Sequence, residues 1–561
     1  MLSDEELGKV QEALGRHPTV TELTMLEAQW SEQASFKSTR RWFHLLKTEG
    51  NRVVIGIGEG AGVVDLGDEV LLGVTMRAYN QPTADDVYES SAGGVGRVIG
   101  NVLSQGCRPV ALLTSIRVGD PKDLQNATSL DRIVEGVSDY GNSVGVPMVA
   151  GETEFHDSYS GNYILNMVCI GESSPGKVIH SIAKTPGDAL VLFGVKVLRS
   201  IMKKGRKGGY CVAQRDLIEA LEIISEKHLV AGLQDIGAGG LLSAAAEMAQ
   251  RGGTGVTIDV DNIPGELETA TAAEKMLDET TERLLAAVTP RNLDRFLDVL
   301  KAHGAPFNIV GTVTYDPVFV VREKGQTKAE LPISLLLRGF EEPALLEEDL
   351  TEQISSHEWI TEPGNPAEAI MRILGSLNIC DRSWIYSQFD QHAQMNTVVD
   401  IGENAGVIEF PKGKLVAVAT DCNSIWTSLD PYSGAANSAC EALRNVASVG
   451  GMPILLADCL NFGNPERPES YGQLVESIRG IGQFSRDFDI PVVAGSVSLY
   501  NEKMLDGDVL RINPTPQVMV AGLIPKGQTP VMRGLCTPLA NIYLIGDTHR
   551  ELNGTEYQLI Q

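Results

Sequence analysis

The sequence predicts an internally duplicated α/β protein whose second copy stops short, and three observations predict it. The first is a repeat: Ile57-Gly-Glu-Gly-Ala-Gly-Val recurs as Ile401-Gly-Glu-Asn-Ala-Gly-Val, 344 residues further on. The same offset relates Gly106-Cys-Arg-Pro to Gly450-Gly-Met-Pro and Val146-Pro-Met-Val-Ala-Gly to Ile490-Pro-Val-Val-Ala-Gly. Three matches in one register mark a duplicated unit. The second is an alternation of apolar, β-rich runs with Ala- and Gly-rich helical stretches. The third is size and balance: 561 residues, 43% hydrophobic, 21% charged and 6% aromatic, too apolar for a disordered chain and long enough for several packed units.

In chain order, residues 1–48 read as an N-terminal helical segment and 49–180 as the larger α/β unit of the first copy. Its strands are predicted at Val70–Met76, Val110–Ser115, Met148–Ala150 and Tyr163–Ile170. A smaller α/β unit over 181–340 opens with Pro186-Gly-Asp-Ala-Leu-Val-Leu-Phe-Gly. Helical spacing follows at Asp216–Lys227 and Gly239–Gln250, strands are expected at Val256–Val260 and Leu284–Val288, and the unit closes around Pro306–Val313 and Val318–Val321. Residues 341–394 form a linker, acidic over Glu341–Glu352, with a helix, and 395–530 repeat the larger unit. Within 531–561, Pro538-Leu-Ala-Asn-Ile-Tyr-Leu-Ile-Gly matches the opening of the smaller unit, whose remainder has no counterpart. Three explanations stand: a separate chain supplies that remainder, the protein functions without it, or the natural chain continues.

The charge narrows the classes of partner. Forty-six Lys and Arg against 73 Asp and Glu give a net charge of -27, a field that repels nucleic acid and anionic membranes but leaves room for a local nucleotide site. The eight cysteines show no CxxC spacing, which predicts buried thiols in a reducing compartment. The start lacks a basic region followed by an apolar one, so a cytoplasmic location is expected.

Four segments carry candidate chemistry. Ser90 to Gly106 is glycine-rich, and Gly93, Gly94 and Gly96 are placed where a helix should begin. There, backbone N–H groups can meet a phosphate, or the small residues simply allow close helix packing. Asp235, in Gln234-Asp-Ile-Gly-Ala-Gly-Gly, sits at a strand-to-helix turn, as a metal ligand or as a helix cap. Asp458 ends an apolar strand and opens the polar loop Cys459-Leu-Asn-Phe-Gly-Asn-Pro-Glu, which favours a functional reading. Glu279 reads as a substrate contact or as part of a solvated face.

Together, Trp30-Ser-Glu-Gln-Ala-Ser-Phe, Gly58-Glu-Gly-Ala-Gly-Val-Val-Asp, Asp157-Ser-Tyr-Ser-Gly-Asn, Gln234-Asp-Ile-Gly-Ala-Gly-Gly-Leu, Asp458-Cys-Leu-Asn-Phe-Gly-Asn-Pro-Glu and Ser496-Val-Ser-Leu-Tyr-Asn-Glu resemble the synthetase subunit of phosphoribosylformylglycinamidine synthase, over about Leu23 to Tyr557. The resemblance implies an aminoimidazole-ribonucleotide-synthetase-like fold in which the sheets of the two copies meet in a central barrel. It implies a ligase of purine biosynthesis: ATP, with Mg²⁺, phosphorylates the amide oxygen of formylglycinamide ribonucleotide, and ammonia displaces the phosphate. It also implies a glutaminase subunit and a small bridging subunit as partners. By the same resemblance Gly93, Gly94, Gly96, Asp458 and Gly495 are ATP or phosphate candidates, Asn80, Glu279 and Ser498 substrate candidates, and Asp235 the metal candidate.

Several family positions are rewritten. Gln33 and Tyr79 stand where the family has histidines, and Ala34 and Phe36 replace its Cys and Tyr. Arg77 takes the place of a metal-binding Glu, and Asn101 that of an Asp after the glycine-rich stretch. Ser496 replaces an Asn. Gln33 cannot shuttle a proton at neutral pH. Two readings therefore follow: a ligase of this type, or a family member without catalysis that serves as a nucleotide-binding scaffold or regulatory partner.

Overall fold

The computed structural model describes residues 2–80, 87–195, 209–265, 270–339, 345, 364–505, 508–534, 538–547, 549 and 552–560. Strands β1 (Val53–Ile55), β2 (Gly62–Gly67), β3 (Val70–Ala78), β4 (Arg108–Val118), β5 (Met148–Phe155) and β6 (Ile164–Ser173) form a six-stranded sheet ordered β1-β2-β3-β6-β4-β5. Only β4 and β5 run parallel, joined over the helix Leu124–Val144. Side chains alternate as the pleat requires: Leu72, Val74 and Met76 face one core, while Leu71 on β3, with Leu112 and Ile116 on β4, faces another beneath the helices Val87–Ser104 and Leu124–Val144.

The smaller unit is a seven-stranded sheet. Its strands are β7 (Ala189–Gly194), β8 (Gly232–Asp235), β9 (Gly255–Asp259), β10 (Arg283–Val288), β11 (Phe307–Thr314), β12 (Val318–Glu323) and β13 (Gln326–Pro332), in the order β13-β12-β9-β11-β7-β10-β8. Strand β7 is covered on both faces. Val191 and Phe193 join the core shared with the larger unit, and Leu190 and Leu192 pack with the helix Gly240–Gly252, which explains its unbroken apolar run. The N-terminal helices Asp4–Leu14 and Val20–Gln29, each opened by a capping box, close this second core with Met25, Leu26 and Trp30.

The second copy repeats the first strand for strand. Strands β14 (Thr397–Val399), β15 (Gly406–Phe410), β16 (Lys414–Asp421), β17 (Met452–Asn461), β18 (Val492–Ser498) and β21 (Thr515–Ile524) are ordered β14-β15-β16-β21-β17-β18, and a ribbon of β19 (Glu502–Leu505) and β20 (Asp508–Arg511) precedes the last. The helix Pro431–Ser448 matches Val87–Ser104 residue for residue at the offset of 344. Even the repeated Ile-Gly-Glu forms the same tight loop, with Gly58 and Gly402 at φ 119° and 117°.

The two six-stranded sheets stack face to face over one core, in which Val74, Met76, Leu113 and Ile170 meet Val418, Leu455, Ala457 and Met519. The contact is reciprocal. A Cβ on Gly62 would stand 2.5 Å from the Val493 carbonyl, and one on Gly406, its repeat equivalent, would collide with the carbonyl of Val149, the equivalent of Val493. Among the described residues no strand ladder joins the two sheets, so hydrogen bonds do not close the expected barrel.

Three further expectations need correction. The helix over the glycine-rich stretch already runs from Val87, so Gly93, Gly94 and Gly96 lie inside it and not at its start. Asp458, expected to end its strand, lies inside β17, which runs on through Asn461. The stretch Pro538–Gly546, matched in sequence to the opening of the smaller unit, forms no strand, and Ile542, Tyr543, Leu544 and Ile545 are 78–94% exposed. Most of the acidic linker, Glu341–Glu352, lies outside the described residues.

Candidate functional site

Most of the sequence-predicted residues converge where β3, β8, β17 and β18 end beside the helix Val87–Ser104. Strands β17 and β18 run parallel, in a register that sets Asp458 beside Gly495 and Asn461 beside Ser498. Asp458 is buried, its Oδ2 has no hydrogen-bond partner, and burial pushes its carboxyl up to about 7. Gly495 is required there because a Cβ would collide with Asp458 Oδ1.

Asn80, just past β3, joins two substrate candidates. Its Nδ2 donates to Ser498 Oγ at 2.8 Å and to Asn461 Oδ1 at 2.6 Å, and its Oδ1 accepts from the Leu165 N–H at 3.1 Å. Asn461 continues the network to Asn166 and the Thr515 carbonyl. These amides supply fixed donors and acceptors without charge, suited to a polar, hydrogen-bonding ligand.

Asp235, at the end of β8, sits in a cationic setting. Its Oδ2 accepts from Asn101 Nδ2 at 3.0 Å, and Asn101 Oδ1 in turn accepts from Arg77 Nε at 3.1 Å. Burial pushes the Asp235 carboxyl up to about 6, against the opposing pull of Arg97 and then Arg77. Tyr79 lies among these groups with a buried hydroxyl that makes no hydrogen bond, and burial raises its phenol above the ordinary range.

Glu279 and Gln33 line a separate cavity of about 170 Å³ with Ser31, Ala34 and Gly239. The Glu279 carboxylate accepts from the Gly239 N–H at 2.8 Å, so it braces the turn before the helix Gly240–Gly252 as well as facing the cavity. A larger cavity, about 320 Å³, lies near Arg108 and Glu172, at the opposite end of β3 and β6, and includes none of the predicted residues.

The glycines of the first long helix act as notches. A Cβ on Gly94 would meet the Tyr79 ring at 2.9 Å, one on Gly100 would stand 2.5 Å from Asp235 Oδ1, and one on Gly96 would strike the Glu282 carboxylate. Gly93 has nothing within 4 Å. The close-packing reading therefore accounts for Gly94, Gly96 and Gly100, and the packed objects are the side chains of Tyr79, Glu282 and Asp235.

Sequence reasoning missed Arg97, Glu282 and Tyr140. Arg97 donates to the carbonyls of Ile236 at 3.2 Å and Glu279 at 3.1 Å, tying the helix to the smaller unit. Glu282 is buried, accepts from the Tyr140 hydroxyl at 2.6 Å and from Thr281, and is pushed upward by burial. The available signal was the spacing Gly96-Arg97-Gly100: one charge between two glycines on a helix that is otherwise apolar toward the core.

Comparison with known proteins places this geometry. Residues 58–173 and 402–524 match the N-terminal domain family of AIR synthase related proteins, and residues 185–324 match the C-terminal domain family. Proteins described as phosphoribosylformylglycinamidine synthase subunit PurL are similar along nearly the whole chain. That of Methanothermobacter marburgensis is 35% identical over 99% of this chain and 79% of its own length, and that of Caldanaerobacter subterraneus 36% over 99% and 78%. Among solved structures, Thermotoga maritima PurL complexed with ADP is 28% identical with a TM-score of 0.78, covering 92% of this chain and 82% of its own. The same protein complexed with FGAR is 27% identical with a TM-score of 0.76, covering 93% and 83%.

Proposed function

This chain belongs to the phosphoribosylformylglycinamidine synthase subunit PurL family, and we propose that it carries out ATP-dependent amidation of formylglycinamide ribonucleotide, or of a closely related amide, in purine biosynthesis. The observation that carries the reading is likeness over 99% of the chain to proteins of that name, at 35% identity. In the reaction the amide oxygen attacks the γ-phosphorus of ATP, ADP leaves, and ammonia then displaces phosphate from the activated carbon to leave an amidine.

The residues divide the work by their chemistry. Asn80 and Ser498, braced from behind by the buried Asn461 amide, form a neutral hydrogen-bonding wall for the ribonucleotide. Glu279 and Gln33 face the second cavity, where Gln33 can orient a substrate group but cannot accept a proton from ammonia. Gly495 and Asp458 border the proposed nucleotide site, and Gly93, on the open face of its helix, remains the glycine candidate with space beside it. Mg²⁺, implied by the family, does not fit Asp235 as it stands. Asn101 already donates to that carboxylate, Arg77 and Arg97 surround it, and among the described residues no three of His, Cys, Asp or Glu gather to hold a metal.

The finer organisation belongs to the same proposal. The two stacked sheets act as the walls of one barrel-like core. A glutaminase subunit supplies ammonia, a small subunit bridges the two, and the complex works in the cytoplasm. The solved structure of PurLQS from Thermotoga maritima, to which this chain is similar, supports multi-subunit working in that relative. No described helix is long and apolar enough to cross a membrane.

The alternative of a scaffold without catalysis draws on Gln33 and Arg77, and the comparisons lend it no support. Phosphate release measured with ATP, formylglycinamide ribonucleotide and ammonium decides between them. Release that requires both amide and ammonium is the expected result, and a folded protein that binds ADP without release would overturn the ligase reading.

A further inference from the structure

The charge at the end of β3 is the part of the site that fits its expected chemistry least. Arg77 and Asp235 are joined through one amide: Asn101 turns its oxygen to the guanidinium at 3.1 Å and its nitrogen to the carboxylate at 3.0 Å. That orientation is dictated by the two charges, since an amide can satisfy both only one way round. It leaves Asn101 Oδ1 committed to a cation, and Asp235 Oδ2 committed to a donor. A divalent ion in this position would need several oxygen ligands, most of them anionic, and would sit beside two guanidinium groups that repel it.

The same arrangement suits an anion. Arg77 is only half-buried, and its terminal nitrogens reach the Gly495 and Gly60 carbonyls at 3.5 Å each, beyond the usual range for such bonds, so both have N–H groups to offer a stronger acceptor. The Gly495 carbonyl lies on the second copy and the Gly60 carbonyl on the first, so the cation stands at the junction of the two sheets. A guanidinium is permanently charged and presents paired N–H donors matched to phosphate oxygens.

We propose that this site takes the phosphates of a nucleoside di- or triphosphate as the free polyanion, with Arg77 supplying the fixed positive charge that a bound divalent ion would otherwise supply. The inference rests on the reading that a nucleotide binds here.

Isothermal titration with ADP tests it, once in EDTA and once in excess Mg²⁺. The expected result is binding of similar affinity in both, and a loss of about tenfold or more in Arg77→Met, equivalent to at least ~1.4 kcal/mol. Arg77→Lys, which keeps the charge but not the fork, should fall between the two, and thermal melting of each variant checks that it is folded. Titration of Mn²⁺ alone should give no binding to the wild-type chain and measurable binding to Arg77→Glu/Asn101→Asp, which restores carboxylates around Asp235. ADP binding that appears only with Mg²⁺ would overturn the inference while leaving the family function standing. No ADP binding under either condition, in a folded protein, would overturn both.

Discussion

The helices Val87–Ser104 and Pro431–Ser448 occupy equivalent places in the two copies, yet their inner surfaces differ in kind. Where the first has Gly94, Gly96 and Gly100, the second has Ser438, Cys440 and Arg444 at the same repeat positions. The first helix lies against the smaller unit, whose Asp235 and Glu282 fill the space the glycines leave. Among the described residues no comparable unit covers the second helix, and Arg444 there reaches back to Cys440 on its own helix. The glycines are therefore not a requirement of the helix, which they weaken by roughly 1 kcal/mol each relative to Ala. Gly96 and Gly100 are a fit to carboxylates arriving from the smaller unit, and Gly94 is a fit to the Tyr79 ring.

The charges at the sheet corners differ in the same way. Arg77 on β3 corresponds to Asp421 on β16, and Asn101 to Asn445, which again donates to its carboxylate, at 2.9 Å. At this second corner the cation comes from β4: Arg117, 0% exposed, bonds Glu152 at 2.6 Å and Gln517 at 2.9 Å and lies 3.1 Å from Glu154. Burial, and then the neighbouring Glu152 carboxylate, pushes Asp421 upward. One corner is thus a cation facing open hydrogen-bonding groups, and the other is a closed ion-pair network that spans both sheets.

The sharpest way to break this contrast is to remove each cation in turn. Arg117→Met should leave two carboxylates without their counter-ion and cost about 3–5 kcal/mol in chemical denaturation. Arg77→Met should cost less than about 1 kcal/mol, since its partner Asn101 is neutral. Equal losses would mean that both corners are structural.

Next in size, Gly100→Ala should destabilise by up to about 3 kcal/mol, because its Cβ stands 2.5 Å from Asp235 Oδ1 and the helix cannot retreat from a packed sheet. Arg444→Ala, at the equivalent position, should be neutral within about 0.5 kcal/mol. Thermal melts of the two variants side by side read the difference.

The buried carboxyls add a pH dependence. Asp458 is held at about 7 when folded but titrates near 3.9 when unfolded. The folded chain keeps its proton where the unfolded chain has lost it, so this group's contribution is fully present below about pH 4 and is lost as the pH rises to about 7. Between about pH 5 and pH 8 the wild type should lose on the order of 2 kcal/mol relative to Asp458→Asn. Parallel stability curves for the two proteins would show that Asp458 is ionised throughout. The smallest effect is expected at Tyr79, whose buried hydroxyl bonds to nothing: Tyr79→Phe should change stability by less than about 1 kcal/mol, and in the stabilising direction.

Much of the scaffold was legible because duplication supplies its own control. The strands at Val110 and Val256 and the helix at Gly239 fall within a few residues of their predicted limits, the strand at Met148 runs five residues past its predicted end, and the three motifs repeated at the offset of 344 occupy the same structural positions. The start of the glycine-rich helix was not legible, since glycines interrupt the apolar period by which a helix is recognised. In the site, motif positions such as Asn80 and Ser498 were found and are joined directly. Arg97, Glu282 and the Arg117 network were not, because each acquires meaning only from a partner on a distant strand or helix. A trace existed for the last: Arg117 places a charge inside the mostly apolar run Val110–Val118.

The reciprocal contact of Gly62 with Val493 and Gly406 with Val149 has the form of a two-fold interface between identical subunits, in which residue i meets j and j meets i. In a true dimer of one such unit, every substitution would be made twice, and an arginine at one corner would force an arginine at the other. Joining both halves in a single chain removes that obligation. Each corner can then take its own sign of charge, and one corner is free to specialise in ligands while the other specialises in holding the pair together.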